Sequence, residues 1–166
     1  MITDPGPELP RCPAAQLPVD ILLVEDNPLE VELTLRPLRE LAPGILIGVA
    51  GDGEQALDIL LGRGEFRHRL GAPLPRLILL DLKLPRLDGV EVIRGLRGNP
   101  RTSVAPIVVL TSTTDARQLA QCYQAGANSC VQKPVRYEEF SRTVQSVARY
   151  WLELNQTLPP MAMLVT

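Results

Sequence analysis

The sequence contains five short strand-like segments, each followed by a helix-like segment; the first four are apolar runs, and the fifth, SCVQK, is shorter and more polar. Apolar strands of this kind are typical of a parallel sheet covered on both faces, because neither face then meets water. The five segments occupy residues 20–25, 45–50, 76–81, 105–111 and 129–133. Strands that alternate with helices in this way predict an α/β fold, with right-handed crossovers that place helices on both faces of one sheet.

Proline marks the amino-terminal limit of this pattern. Residues 1–18 contain five prolines and few large apolar side chains, so we expect a flexible leader there. One domain is expected over residues 19–154, followed by a tail over residues 155–166. We find no internal repeat and no second domain, so no DNA-binding or enzymatic module is expected after this domain.

Composition excludes several classes of function. The net charge of −2 argues against a protein that binds nucleic acid by bulk electrostatics. No apolar run approaches the roughly 20 residues needed to span a bilayer, and the amino terminus lacks the layout of a secretory signal. We therefore expect a cytoplasmic protein without membrane or nucleic-acid partners. Three cysteines without CxxC spacing, and a single histidine, argue against a disulfide framework or a zinc site.

Two local features of the helical segments lead to specific expectations. Asn27 and Pro28 are typical of a helix cap and a first helical position, and the helix should extend to Leu41. Pro37 lies inside that segment and should kink the helix or start a new turn. Residues 65–75 are expected to form a longer, basic loop.

Chemically active side chains stand where the predicted strands end. Glu25 and Asp26 follow the first strand, Asp81 ends the third, Thr111 ends the fourth and Lys133 ends the fifth. In open parallel sheets the binding crevice lies beyond the carboxyl ends of the strands. The sequence therefore predicts that three acids, a hydroxyl and an ammonium meet at one edge.

Three neighbouring carboxylates need a counter-charge. At about 4 Å and an effective dielectric constant of about 20, each pair of like charges costs about 4 kcal/mol. A divalent cation with oxygen ligands would neutralise them, and Mg²⁺ suits a few carboxylates plus waters. Mg²⁺ with open positions commonly serves a phosphoryl group, on which Lys133 and Thr111 could supply a cation and a hydroxyl. One of the carboxylates could then act as the nucleophile and become an aspartyl phosphate.

Four motifs in residues 20–151 resemble the receiver domain of two-component response regulators. They are LLVEDN with Glu25 and Asp26, LLDLKLPRLDG with Asp81, VVLTS with Thr111, and VQKPV with Lys133. The resemblance implies a flavodoxin-like (βα)5 sheet with strand order 2-1-3-4-5. It also implies a signalling protein rather than an enzyme, apart from its own phosphorylation and dephosphorylation.

The resemblance also implies the roles of individual residues at the metal site. Asp81 would accept the phosphoryl group from a phosphohistidine of a sensor histidine kinase. Asp26 and Asp81 would bind Mg²⁺, or alternatively Mn²⁺, together with the backbone carbonyl of Lys83. Glu25 would act through water.

Three further residues gain roles from the same resemblance. Thr111 would move onto the phosphoryl group as a switch, and Lys133 would pair with that group. The bond between Lys133 and Pro134 would be cis.

Cys130 departs from the family pattern, because receivers usually carry a tyrosine or phenylalanine three residues before the lysine. That aromatic side chain rotates inward on activation, so the usual switch cannot operate here in its ordinary form. Movement of Thr111 and of the fourth helix would have to carry the signal, and Tyr123 is a neighbouring aromatic residue that could contribute.

Two features indicate the subfamily. The basic loop before PRLILLDLKLPR and the ending VARYWLELNQ resemble stand-alone receivers that are paired with phytochrome-type kinases. The expected partners are therefore a phytochrome-type sensor histidine kinase and a phosphotransfer protein, in a phosphorelay or through direct protein contact.

The last helix, expected over residues 137–154, carries an apolar seam. Phe140, Val144 and Val147 should face the core, whereas the seam continues past the sheet. An exposed tryptophan near a terminus indicates a partner surface. We therefore predict a homodimer built on the fourth and fifth helices and the fifth strand, with an interface that includes three residues: Tyr150, Trp151 and Leu154.

Three rival readings stay open. A pseudo-receiver would use the same fold only for docking, and Cys130 favours it, although the acidic pocket is intact. A phosphatase with an aspartyl-phosphate intermediate would need a general acid where Lys83 stands. A flavin-binding domain would need a phosphate loop after the first strand, which the sequence lacks.

Overall fold

The structure is a computed structural model and describes residues 18–158. Its strands are β1 (Ile21–Val24), β2 (Ile47–Ala50), β3 (Leu77–Asp81), β4 (Ile107–Thr111) and β5 (Ser129–Gln132). Its α-helices are α1 (Pro28–Leu41), α2 (Gly53–Leu61), α3 (Gly89–Arg97), α4 (Ala116–Ala125) and α5 (Tyr137–Arg149). A 3-10 helix (Gly64–Arg69) follows α2, and a π turn (Tyr150–Leu154) extends α5.

All strand pairs are parallel, in the order β2-β1-β3-β4-β5. This confirms the flavodoxin-like fold that the resemblance implied. The register pairs Val24 with Leu80 and Asp81 with Leu110, so the carboxyl ends of the three central strands lie side by side. The chain thus leaves β1, β3 and β4 at one edge of the sheet.

The sheet separates two hydrophobic cores. Alternate residues of β3 point to opposite faces: Ile78 and Leu80 join the core beneath α2, α3 and α4, whereas Leu77 and Leu79 join the core beneath α1 and α5. All four of these side chains are fully buried. Burial on both faces explains why the strands read as unbroken apolar runs.

The structure bears on two expectations about local structure. Helix α1 continues through Pro37 as one element, and the Gln145 side-chain amide of α5 donates a hydrogen bond to the Pro37 carbonyl at 3.1 Å. This contact joins α5 to α1 at Pro37, whose missing N–H leaves the Leu33 carbonyl without its usual donor in the helix. The stretch predicted as a loop after α2 instead begins with the 3-10 helix, in which Phe66 and Arg69 are buried.

The last helix extends as far as predicted, but its end differs from the expectation. Trp151 is half-buried and packs against the core beneath α1 and α5, so the argument from an exposed tryptophan is wrong. The backbone changes from α to π geometry at Tyr150, immediately before Trp151. Tyr150 and Leu154 remain 50% and 67% exposed.

The predicted leader lies outside the described residues, apart from residue 18, and so does the part of the predicted tail beyond residue 158. Within residues 18–158, no helix has both the length and the apolar character needed to cross a lipid bilayer.

Candidate functional site

The backbone brings the five predicted site residues to the carboxyl edge of the sheet. Glu25 follows β1, and its N–H donates to the Ala50 carbonyl at 3.0 Å. Asp81 and Thr111 are the last residues of β3 and β4. Lys133 follows β5, and its N–H donates to the Thr111 carbonyl at 2.7 Å, which extends the pairing of β4 and β5 by one residue.

Three carboxylates form a cluster at this edge. Glu25, Asp26 and Asp81 each offer an oxygen, and these atoms lie within 4.8 Å of one another. Such a set of hard oxygen donors suits Mg²⁺ or Mn²⁺. The donor set therefore fits the divalent metal that the sequence predicted.

Lys133 places its ammonium among these acids. Its Nζ lies 3.2 Å from Glu25 Oε2 and 3.3 Å from Asp81 Oδ1. It also donates a hydrogen bond to Glu30 Oε2. The Lys133 side chain is 15% exposed, so its contacts with Glu25 and Asp81 are partly shielded from water, whereas the contact with Glu30 is more open.

The site shifts the pKa values of its ionisable groups. Burial, with the charge of Asp81, raises the pKa of Glu25 to about 8. Burial also raises the pKa of Asp81, against the lowering effect of Lys133. For Lys133, burial works to lower the pKa, but the hydrogen bond to Glu30 and the charges of Asp81 and Glu25 outweigh it and raise the pKa. The ammonium is therefore firmly charged, and Glu25 loses its proton less readily than an exposed glutamate.

Thr111 is buried, and its hydroxyl is held by a local turn. The N–H of Thr113 donates to Thr111 Oγ1 at 3.1 Å. This hydroxyl can in turn donate its own hydrogen to an acceptor in the crevice. The position at the end of β4 is compatible with the predicted switch role, which remains a prediction.

Cys130 packs where receivers usually carry an aromatic side chain. It contacts the core beneath α2, α3 and α4, in which Cys122 is fully buried. The Cys130 N–H donates to the Tyr123 hydroxyl at 3.2 Å. Tyr123 thus links α4 to the edge strand β5 through its hydroxyl.

The remaining predicted residues lie in two places. Lys83 follows Asp81 by two residues and has an exposed side chain, and Pro134 follows Lys133. The role of the Lys83 carbonyl and the cis bond at Pro134 remain predictions. Tyr150, Trp151 and Leu154 lie in the π turn, away from the acidic cluster in the chain, and their place in a dimer interface is also a prediction.

Sequence reasoning missed Glu30. It lies in the first turn of α1, four residues after Asp26, and its side chain is 42% exposed. An acid one turn after the Glu25–Asp26 pair was the available signal. An acid in a first helical turn is common, however, because it interacts favourably with the helix dipole, so the signal was weak.

Comparison with known proteins gives a consistent result. The family model for the response regulator receiver domain matches residues 21–145. A probable methanogenesis regulatory protein, FilR2 of Methanothrix harundinacea, is 38% identical over 88% of this chain and 92% of its own length. Response regulator Rcp1 of Synechocystis is 33% identical over 86% of this chain and 94% of its own length.

Solved structures agree with these matches. The Mn²⁺-bound form of Rcp1 has a TM-score of 0.76 at 33% identity and covers 86% of this chain and 99% of its own. The phosphorylated cyanobacterial phytochrome response regulator RcpA has the same TM-score at 29% identity and covers 82% of this chain and 95% of its own.

Proposed function

The chain belongs to the response regulator receiver domain family, and from this we propose that Asp81 accepts a phosphoryl group from a sensor histidine kinase. One observation carries the proposal. The Asp81 carboxylate lies 3.3 Å from the Lys133 ammonium, within an acidic cluster whose oxygens fit a divalent metal. An aspartate that served only in a turn or a helix cap would need neither the lysine nor the acidic cluster beside it.

The acidic cluster is the proposed metal site. Asp26, Asp81 and the Lys83 carbonyl would hold Mg²⁺, or alternatively Mn²⁺, and Glu25 would act through water. The metal would neutralise the carboxylates and stabilise the negative charge on the oxygens of a phosphoryl group. The Mn²⁺-bound structure of Rcp1 supports this assignment.

In the proposed transfer, these side chains have separate roles. An Asp81 carboxylate oxygen attacks phosphorus, and the bond from phosphorus to the donor's imidazole nitrogen breaks, so that nitrogen keeps the bonding electrons. Lys133 pairs with the negative charge that now lies on the phosphoryl oxygens. Thr111 supplies a hydroxyl hydrogen to one of those oxygens.

The relatives indicate the kind of kinase. RcpA is by its description a phytochrome response regulator. Its similarity over most of this chain supports a phytochrome-type sensor histidine kinase as the phosphate donor. Onward phosphotransfer or protein contact would then carry the signal, and a homodimer through the fourth and fifth helices is the contact we favour.

A phosphate-independent pseudo-receiver is the second candidate. Cys130 favours it, because this small side chain cannot act as the usual aromatic switch. Its site would nevertheless contain the acids, the lysine and the threonine, and such a docking module has no need of them. We therefore place phosphorylation first.

Intact-protein mass after incubation with Mg²⁺ and acetyl phosphate tests the proposal. The expected result is a gain of one phosphoryl group, which is absent in Asp81→Asn and in wild-type protein treated with a chelator. Asp58→Asn, which changes an aspartate of α2 in the same way, is the matched control and should be phosphorylated normally. A wild-type protein that gains no mass would contradict the proposal and favour the pseudo-receiver.

A further inference from the structure

Glu30 is the third residue of α1, a position from which a glutamate can accept a hydrogen bond from the N-cap N–H. In α1 this hydrogen bond is absent from Glu30. In α3 the third helical residue, Glu91, accepts a hydrogen bond from the Asp88 N–H at 3.1 Å and closes a capping box. In α1 the same position is Glu30, but the Asn27 N–H donates instead to Glu25 Oε1 at 3.1 Å. The Glu30 carboxylate is therefore available to Lys133.

The Lys133 ammonium has as many carboxylate partners as donors. An ammonium carries three N–H bonds, and Nζ contacts Glu25, Glu30 and Asp81. A phosphoryl group on Asp81 would add oxygens that compete for the same three hydrogens. One phosphoryl oxygen can replace the Asp81 contact, and each further phosphoryl oxygen competes with Glu25 and Glu30 for an N–H of Lys133.

Glu30 is the carboxylate that can leave at the lowest cost. Its side chain is 42% exposed, whereas the side chains of Glu25 and Asp81 are 5% and 14% exposed. A carboxylate that returns to water regains its hydration, whereas one that stays buried without a partner does not. Glu25 is also held by the Asn27 N–H, and Asp81 would be the phosphorylated residue itself.

We propose that Glu30 is a positioning residue that holds Lys133 in the unphosphorylated protein and releases it to the phosphoryl group on Asp81. The inference rests on the proposed phosphorylation of Asp81. Glu30 then opposes phosphorylation in two ways, because it competes for the ammonium and adds a negative charge near the incoming group. Removal of its charge should speed phosphorylation.

The chain allows a direct test of the contact, because Lys83 and Lys133 are its only lysines. An amine-acetylating reagent at limiting concentration, followed by peptide mass spectrometry, gives the labelling ratio of Lys133 to Lys83. Exposed Lys83 serves as the internal reference. Glu30→Gln should raise this ratio at least about twofold, because partly exposed ion pairs are weak but measurable. Glu30→Asp, which withdraws the carboxylate by one methylene, should give an intermediate ratio.

The second arm measures the rate of phosphorylation by acetyl phosphate, which needs no docking of a kinase. Glu30→Gln should be phosphorylated about twofold to fivefold faster than the wild type. Glu32→Gln is the matched control, since it removes the same charge from an exposed position on the same helix. The control should match the wild type in both arms.

The outcomes separate this inference from the proposed function. A higher labelling ratio together with faster phosphorylation supports the role of Glu30. An unchanged labelling ratio, or an unchanged rate in a protein that is phosphorylated, overturns that role alone. A wild-type protein that gains no phosphoryl group overturns the proposed function, and the inference falls with it.

Discussion

Glu25 is the carboxyl group of the site whose pKa is raised most clearly by burial and by a neighbouring charge. It is 4% exposed, and burial with the charge of Asp81 raises its pKa to about 8. The contact with Lys133 lowers the pKa but does not offset the burial. Glu25 therefore binds a proton more readily than an ordinary glutamate does.

This shift predicts how stability depends on pH in the metal-free protein. The folded state binds the Glu25 proton more tightly than the unfolded chain does. The contribution of this proton to the free energy of unfolding is therefore fully present below pH 4.5 and is lost as pH rises to about 8. Glu25→Gln mimics the protonated acid and should not show this loss. Melting temperatures with a chelator should therefore diverge in favour of Glu25→Gln as pH rises. Parallel curves would contradict the raised pKa.

Lys83 is expected to control the lifetime of the phosphoryl group. Its exposed side chain stands two residues after Asp81, where it can obstruct water that approaches the acyl phosphate. Lys83→Asn should change the rate of dephosphorylation but retain metal binding, because the backbone carbonyl remains. Decay of the phosphoprotein mass and calorimetric titration with Mg²⁺ measure the two effects. Equal decay rates in both proteins would reject the prediction.

At the scale of elements, α4 and β5 are the parts in which this receiver differs from the common pattern. Cys130 fills the usual aromatic position, and the nearby aromatic residue, Tyr123, lies on α4 instead. Its hydroxyl accepts the Cys130 N–H on the edge of the sheet. The aromatic group therefore ties the helix to the strand, and movement of α4 would change the protection of that N–H.

Tyr123→Phe tests this link. The variant loses one hydrogen bond, which should cost about 0.5–1.5 kcal/mol of local stability, and amide exchange at Cys130 should accelerate accordingly. The Lys133 N–H, bound to the Thr111 carbonyl, is the internal control and should exchange as in the wild type. If the Cys130 amide exchanges at its wild-type rate, the hydroxyl does not hold the strand.

The whole molecule presents an apolar end at the π turn. Tyr150 and Leu154 are 50% and 67% exposed, whereas Trp151 anchors the turn to the core. A stable protein interface commonly buries at least about 1,200 Å² in total, so two side chains would be only part of it. Neighbouring surface of α4, β5 and α5 would supply the remainder.

Sedimentation measurements should distinguish the interface role of Leu154 from the core-packing role of Trp151. Leu154→Asp places a charge in the predicted interface and should shift the mass from dimer to monomer. Leu70→Asp is the matched control, since Leu70 is 69% exposed and belongs to the segment after the 3-10 helix. Trp151→Ala should mainly lower the melting temperature. If the wild type is monomeric with and without phosphorylation, the dimer prediction is wrong.

The sequence by itself determined the sheet and the position of the acidic cluster. Buried parallel strands leave an unbroken apolar run, and the residue after such a run must lie at the carboxyl edge. Glu25, Asp81 and Thr111 were therefore predictable from their place in the chain alone. The helix cap at Asn27 is a local contact, and it too was predictable.

Only the tertiary structure decided which side chains meet across the crevice. Glu30 and Lys133 are 103 residues apart, and their contact depends on how α1 packs on the sheet rather than on any local pattern. The packing of Trp151 against the core beneath α1 and α5 is likewise a contact between elements that are distant in the chain. Long-range contacts follow from the rotation and depth of packed elements, and a one-dimensional pattern specifies neither.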